Sequence, residues 1–235
     1  MSGASAPQAP TRYVEDVTAS GVAWRIGEWR NGADAGASAH VGAPAHVGAS
    51  AHVGASSAHG VRAAELRYRR LVGRRWARDL MTTRLGLGWP GFAPDAPGRK
   101  PRLLGRSGPD VSISHSGGTL LVGVVAEGLV GVDVEEEPFD AFDRAPLVRR
   151  MCAPEERAAF EALPGGLRRR SLARAWTLKE ATLKAHGAGL ARDPRSIIVD
   201  LDDATATIGT LGPERTIVHI TGGSAVVCHP AGAAP

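Results

Sequence analysis

The chain has 235 residues, enough for one large domain or two small ones sharing an interface, and its 43% hydrophobic and 22% charged residues exclude general disorder despite 30 Gly and 16 Pro. Its formal charge is +4, with arginines gathered from Arg62 to Arg106 and at Arg168, Arg169 and Arg170, which suits phosphate-bearing or acidic partners but equally a solvated basic surface. Cys152 and Cys228 have no metal-ligand spacing, the first 30 residues hold no apolar h-region, and no apolar run approaches the roughly 18 residues of a membrane span, so a soluble cytoplasmic protein is expected.

Residues 1–31 read as a small, polar tail followed by a first strand, in which Val22, Trp24 and Ile26 alternate. Residues 32–60 contain a six-residue repeat that sets His40, His46 and His52 at equal steps, with His59 one residue later. Small residues and repeated Gly offer no rigid frame for metal coordination, so the segment reads as a disordered insertion in a surface loop. From Ala63 to Leu85 the composition predicts a helix, with Leu66, Leu71, Trp76 and Leu80 as its buried stripe. A Gly/Pro-rich loop over 86–110 leads to three expected strands of one sheet, "VSISHS", "TLLVGVVAE" and "GLVGVDVE".

Helices are predicted over 145–163 and 167–187, divided by "LPGG". "RSIIVDL" is a further strand, and "RTIVHITGGSAVVCHP" a hairpin turning at Gly222 and Gly223. The pattern gives an α+β fold with strands and helices segregated in each half, 61–126 and 127–235, the second carrying the candidate metal site. An alternating parallel βαβ sheet is the competing arrangement.

In "GVDVE" the strand period puts Asp133 and Glu135 on one face, where their repulsion calls for a hard divalent cation or for open water. Glu136 and Glu137 favour the second reading, a solvated acidic edge. In the helix, Trp176, Glu180 and Lys184 fall at i, i+4 and i+8 with Lys179 beside them. Alone, Glu180 and Lys184 form an ordinary pair of about 0.2–0.5 kcal/mol. Set against Asp133 and Glu135, they would supply a third carboxylate and the cations that phosphoryl chemistry uses. Ser114 and His115 invite a nucleophile and base, but neighbours in a strand point to opposite faces and there is no GxSxG elbow. A phosphate contact or a core role suits His115 better.

The ordered set "GRKP" (98–101), "SISHSG" (112–117), "GVDVE" (131–135), "APEE" (153–156) and "WTLKEATLKAHGAGL" (176–190) resembles the Sfp-type 4′-phosphopantetheinyl transferases. The resemblance implies a pseudo-dimer of two similar α+β halves in a monomeric chain, with coenzyme A between them. The implied reaction moves the phosphopantetheine arm of coenzyme A to a serine of an apo acyl or peptidyl carrier protein, releasing adenosine 3′,5′-bisphosphate. By the same resemblance Asp133, Glu135 and Glu180 are Mg²⁺ ligands and Lys184 the cation on the diphosphate. Glu180 would also take the serine proton, directly or through a metal-bound water, and Lys179 is similar to the lysine beside it in the family motif, a coenzyme-binding position.

Ser114 and His115 are similar to the pair that contacts the coenzyme's phosphates, and Lys100 to the lysine near its adenine and phosphate end. Arg74 falls where a basic residue meets the 3′-phosphate, with Arg67, Arg69 and Arg70 as alternatives. Polyketide or nonribosomal peptide synthases are the expected carriers' hosts. The histidine repeat has no counterpart in the family, and Met151-Cys152 stands where an aromatic residue leads the "APEE" motif. A catalytically silent carrier- or coenzyme-binding module would lack a metal carboxylate or the phosphate lysine, and none is missing. A nucleic-acid binder would need a helix-turn-helix or an aromatic platform, and 5% of residues are aromatic. Neither nucleic acid nor membrane is an expected partner.

Overall fold

The structure, a computed structural model, describes residues 13–18, 21–29, 54–94, 99–105, 108–187, 192–200, 205–208, 216–218 and 224–229. His40, His46, His52, Gly222 and Gly223 lie outside these residues. The fold is mixed, with antiparallel sheets and segregated helices.

Strands β1 (Tyr13–Val17), β2 (Val22–Glu28), β3 (Asp110–Ser116) and β4 (Thr119–Val125) form an antiparallel sheet in the order β1-β2-β4-β3. Strand β4 is apolar from Leu120 onward because both its faces are covered. Leu120, Val122 and Val124 pack under helix α1 (Gly54–Asp79), while Leu121 and Val125 pack against Val130, Val132 and Val134 of strand β5 (Leu129–Val134). β1 extends the sheet beyond the single first strand expected.

Helix α1 begins at Gly54, so the last seven residues of the expected insertion are helical, and it runs into a π-helical turn at Leu80–Arg84. Its buried stripe differs from the predicted one. Leu66 and Leu71 are exposed, and the sheet is met by Tyr68, Val72, Trp76, Ala77, Leu80 and Met81. Residues 68, 72, 76 and 80 keep a strict four-residue step, which Leu66 and Leu71 miss.

β5 does not join β3 and β4 in one sheet as expected. It pairs with β9 (Ser224–His229) in a second antiparallel sheet, β5-β9-β8, where β8 spans Thr216–Val218. The edge of β5 that faces β3 is satisfied by side chains instead of a backbone ladder. Val130 N–H donates to Asp110 Oδ2 at 2.8 Å, Val132 N–H to Ser112 Oγ at 3.0 Å, and Glu136 N–H to Ser116 Oγ at 3.4 Å. The even-numbered polar side chains of β3 thus stitch the two sheets together.

The predicted 145–163 helix is two helices, α2 (Ala145–Met151) and α3 (Pro154–Glu161). Pro154 cannot continue α2 but suits the first position of α3. Helix α4 (Gly165–Ala185) follows, then an antiparallel pair, β6 (Ile197–Asp200) and the unexpected β7 (Thr205–Ile208).

Candidate active site

α4 packs on β5 at backbone contact. A Cβ on Gly131 would stand 1.8 Å from Ala181 O and 2.5 Å from Ala185 N, so only glycine allows this approach. The closeness brings the end of β5, with Asp133 and Glu135, to the face of α4 that carries Trp176, Glu180 and Lys184. Those three are half-buried while the residues around them on α4 are largely buried. β3 closes the seam from the other sheet.

Asp133 is 5% exposed, and its Oδ1 accepts from Ser114 Oγ at 2.7 Å and from Lys184 Nζ at 2.5 Å. Lys184 Nζ also donates to Ser114 Oγ at 3.0 Å. The other oxygen, Asp133 Oδ2, is buried without a hydrogen-bond partner among the described residues. Glu135 Oε2 accepts from Ser116 Oγ at 3.1 Å, and the Trp176 indole donates to the same carboxylate.

Burial, and then the neighbouring Asp133 charge, push the Glu135 carboxyl above its ordinary value. Glu180 is also pushed up, first by burial; Lys184 opposes that shift, and Asp133 and Glu135 add to it. Three carboxylates thus share a poorly solvated seam with one lysine. His115, on the side of β3 away from Ser114, is exposed, and its imidazole is brought down to about 4 by partial desolvation, then by Arg69 and Lys184.

Lys179 does not join this group. Its side chain is fully buried, and Nζ donates to Met151 O at 2.9 Å and Glu156 Oε2 at 2.6 Å. Glu156 Oε2 in turn accepts from Ala153 N–H at 2.8 Å, so the "APEE" glutamate caps α3 and anchors α4. Lys179 is thus a tether between α4 and α3, because five residues along a helix turn its side chain away from the Lys184 face.

Lys100 pairs with Asp110 and donates to Val130 O at 2.7 Å. It lines a cavity of about 440 Å³ with Arg99, Arg102, Asp110, Leu129 and His186. Arg74 stacks over Phe92, its guanidinium carbon 4.7 Å from the ring centre, and Arg69 lies 5.6 Å over Trp29. Of these arginines, Arg69 is the one that acts electrostatically on His115.

Sequence reasoning missed Ser116, Asp110 and Glu156 as parts of this construction. The period-2 row of polar residues in "DVSISHS" was the available signal for the first two. For Glu156 it was a glutamate three residues after a helix start.

Residues 129–228 match the 4′-phosphopantetheinyl transferase superfamily. A stretch of 109 residues is 35% identical to a Synechocystis sp. protein whose name gives it as a candidate 4′-phosphopantetheinyl transferase, covering 44% of this chain and 43% of that relative. The match thus spans less than half of either protein. The superfamily segment holds β5 and α4, so Asp133, Glu135, Glu180 and Lys184 all fall inside it, while Ser114, His115 and Lys100 precede it. Among the described residues no helix is long and apolar enough to cross a membrane.

Proposed function

We propose that the chain transfers 4′-phosphopantetheine from coenzyme A to a serine of apo acyl or peptidyl carrier proteins, with Mg²⁺ bound at the seam. The observation that carries this reading is the meeting of Asp133, Glu135 and Glu180 with Lys184, where one buried Asp133 oxygen has no partner among the described residues. Mutually repelling, desolvated carboxylates suit a divalent cation. Among the described residues no three His, Cys, Asp or Glu side chains are gathered as a ready metal cage. Mg²⁺ does not require one, since it commonly keeps waters and takes one or two carboxylates together with substrate phosphate oxygens.

Asp133, Glu135 and Glu180 would hold the ion, which would supply charge stabilisation on the diphosphate. Lys184 would face the same diphosphate, with His115 and Ser114 as hydrogen-bonding partners for its oxygens. The carrier serine oxygen bonds to the phosphorus of the pantetheine arm. The phosphorus–oxygen bond to adenosine 3′,5′-bisphosphate breaks, and the serine proton passes to Glu180 directly or through a water. A carboxylate raised by burial is the better base for that step.

The cavity beside Lys100, with Arg99 and Arg102, would take the nucleotide end, and Arg69 or Arg74 the 3′-phosphate. In this reading the two sheet-and-helix halves form a pseudo-dimer around the coenzyme, and a cytoplasmic monomer serves polyketide or peptide synthases. The test is intact-mass spectrometry of an apo carrier protein incubated with the chain, coenzyme A and Mg²⁺, beside Asp133→Ala and EDTA controls. A gain of one phosphopantetheine arm that both controls abolish supports the reading. No gain across several carriers, despite coenzyme A binding, sinks it.

A further inference from the structure

Glu136 belongs to the acidic run after β5 that favours a solvated edge, yet its carboxylate is engaged inside the fold. Its Oε1 accepts from Thr119 Oγ1 at 2.6 Å, and its backbone N–H points to Ser116 Oγ at 3.4 Å. The carboxylate lies across the β3–β4 turn so closely that a Cβ on Gly117 would stand 2.0 Å from Glu136 Oε2. Gly117 also holds a φ of +48°, which favours glycine.

Trp29, the residue after β2, grips the same turn. Its backbone N–H donates to Gly118 O at 3.1 Å, and its indole Nε1 to Gly117 O at 3.1 Å. The turn is therefore held by Trp29 on one side and Glu136 on the other. Ser116, the last residue of β3, stands on this braced turn and donates to Glu135 Oε2.

Ser116 and the Trp176 indole are both neutral donors. They fix the direction of the Glu135 carboxylate without neutralising it, so its charge stays available to a cation. A ligand oxygen that is already oriented loses less freedom when the ion binds.

We infer that Ser116 and Glu136 are positioning residues of the carboxylate site: Glu136 braces the β3–β4 turn, and Ser116, standing on it, sets the direction in which Glu135 meets a divalent cation. This inference rests on the metal reading proposed above. It is tested by titrating Mn²⁺ into the full chain with coenzyme A present, against a coenzyme-only blank, and following the free-ion EPR signal, with Asp133→Ala as reference and far-UV circular dichroism as a check of folding.

Saturable Mn²⁺ binding that Asp133→Ala removes establishes the ion site. Ser116→Ala and Glu136→Ala are then expected to weaken it about 10-fold or more, and Ser116→Thr, which keeps the hydroxyl, to restore most of the affinity. Unchanged affinity in both alanine variants overturns the inference and leaves the ion site standing. A loss in Ser116→Ala that threonine does not restore also overturns it, since packing and not the hydroxyl would be responsible. Absence of saturable binding to the wild-type chain, or binding that survives Asp133→Ala, overturns the metal reading and the inference with it.

Discussion

Two faces of α4 use the same chemistry to opposite ends. Lys179, on the inner face, is fully buried and spends its charge on Glu156 and the Met151 carbonyl. Lys184, five residues on, is about one-quarter exposed and pairs with Asp133, whose second oxygen is left over. A lysine–carboxylate pair is thus not itself a sign of function. The difference lies in what surrounds it: the inner pair closes a helix cap, whereas the seam pair sits among two further carboxylates.

The largest effect should separate the two lysines. Lys179→Ala leaves the Glu156 carboxylate without its cation and opens a cavity, for a loss of about 3–5 kcal/mol, and thermal denaturation should register a fall in Tm of about 2–4 °C for each of those. Lys184→Ala also leaves a buried carboxylate, Asp133, without its cation and should lower Tm as well, but it should in addition cut phosphopantetheine transfer at least about 100-fold under conditions where the variant is folded, as removal of a preorganised electrostatic group does. Equal losses of transfer by the folded fraction of the two variants would erase the distinction between the faces.

A smaller effect, of opposite sign, is expected at Glu180. Its folded-state carboxyl titrates above the usual 4.5, chiefly through burial. Between the unfolded and folded values the native state holds more protons than the unfolded one, so this group's contribution makes stability fall as pH rises. Glu180→Gln cannot ionise and should be more stable than wild type at neutral pH, by about 2–4 °C in Tm for each kcal/mol relieved, while losing transfer activity. The advantage should vanish as pH falls below 4.5, where Glu180 is protonated in both states. A lower Tm in the variant at pH 7 would mean that attraction to Lys184 outweighs desolvation and the two acidic neighbours.

The seam residues were legible because their signals are local. Strand alternation paired Asp133 with Glu135, and the four-residue step aligned Trp176, Glu180 and Lys184, and both relations survive in the structure. Lys179 stands beside Glu180 in sequence but not at the seam, since each helical residue turns by about 100° and its side chain meets Glu156 instead. The departure of β5 into a second sheet was hidden as well: nothing in "GLVGVDVE" says that its edge will be satisfied by the Asp110, Ser112 and Ser116 side chains rather than by a neighbouring strand. The α1 stripe held for Trp76 and Leu80 and failed for its first two members for a similar reason. Leu66 and Leu71 are apolar, but only the register through Tyr68, Val72 and Trp76 meets the sheet.

The smallest effect concerns the rim of the seam face, where His115 reports on the cations rather than the carboxylates. With its imidazole brought down to about 4 by partial desolvation, Arg69 and Lys184, the ring should stay neutral through the range in which an ordinary histidine titrates. Proton NMR of the His115 ring, assigned with a His115→Gln variant, should show no titration between pH 6 and 8. Arg69→Gln should then raise the midpoint by removing one of the two cations, and Lys184→Ala should raise it by a smaller step, because Arg69 acts the more strongly on the ring. A wild-type midpoint near 6.5 would mean that the ring is neither desolvated nor reached by the two cations, and the positive end of the seam would have to be sought elsewhere.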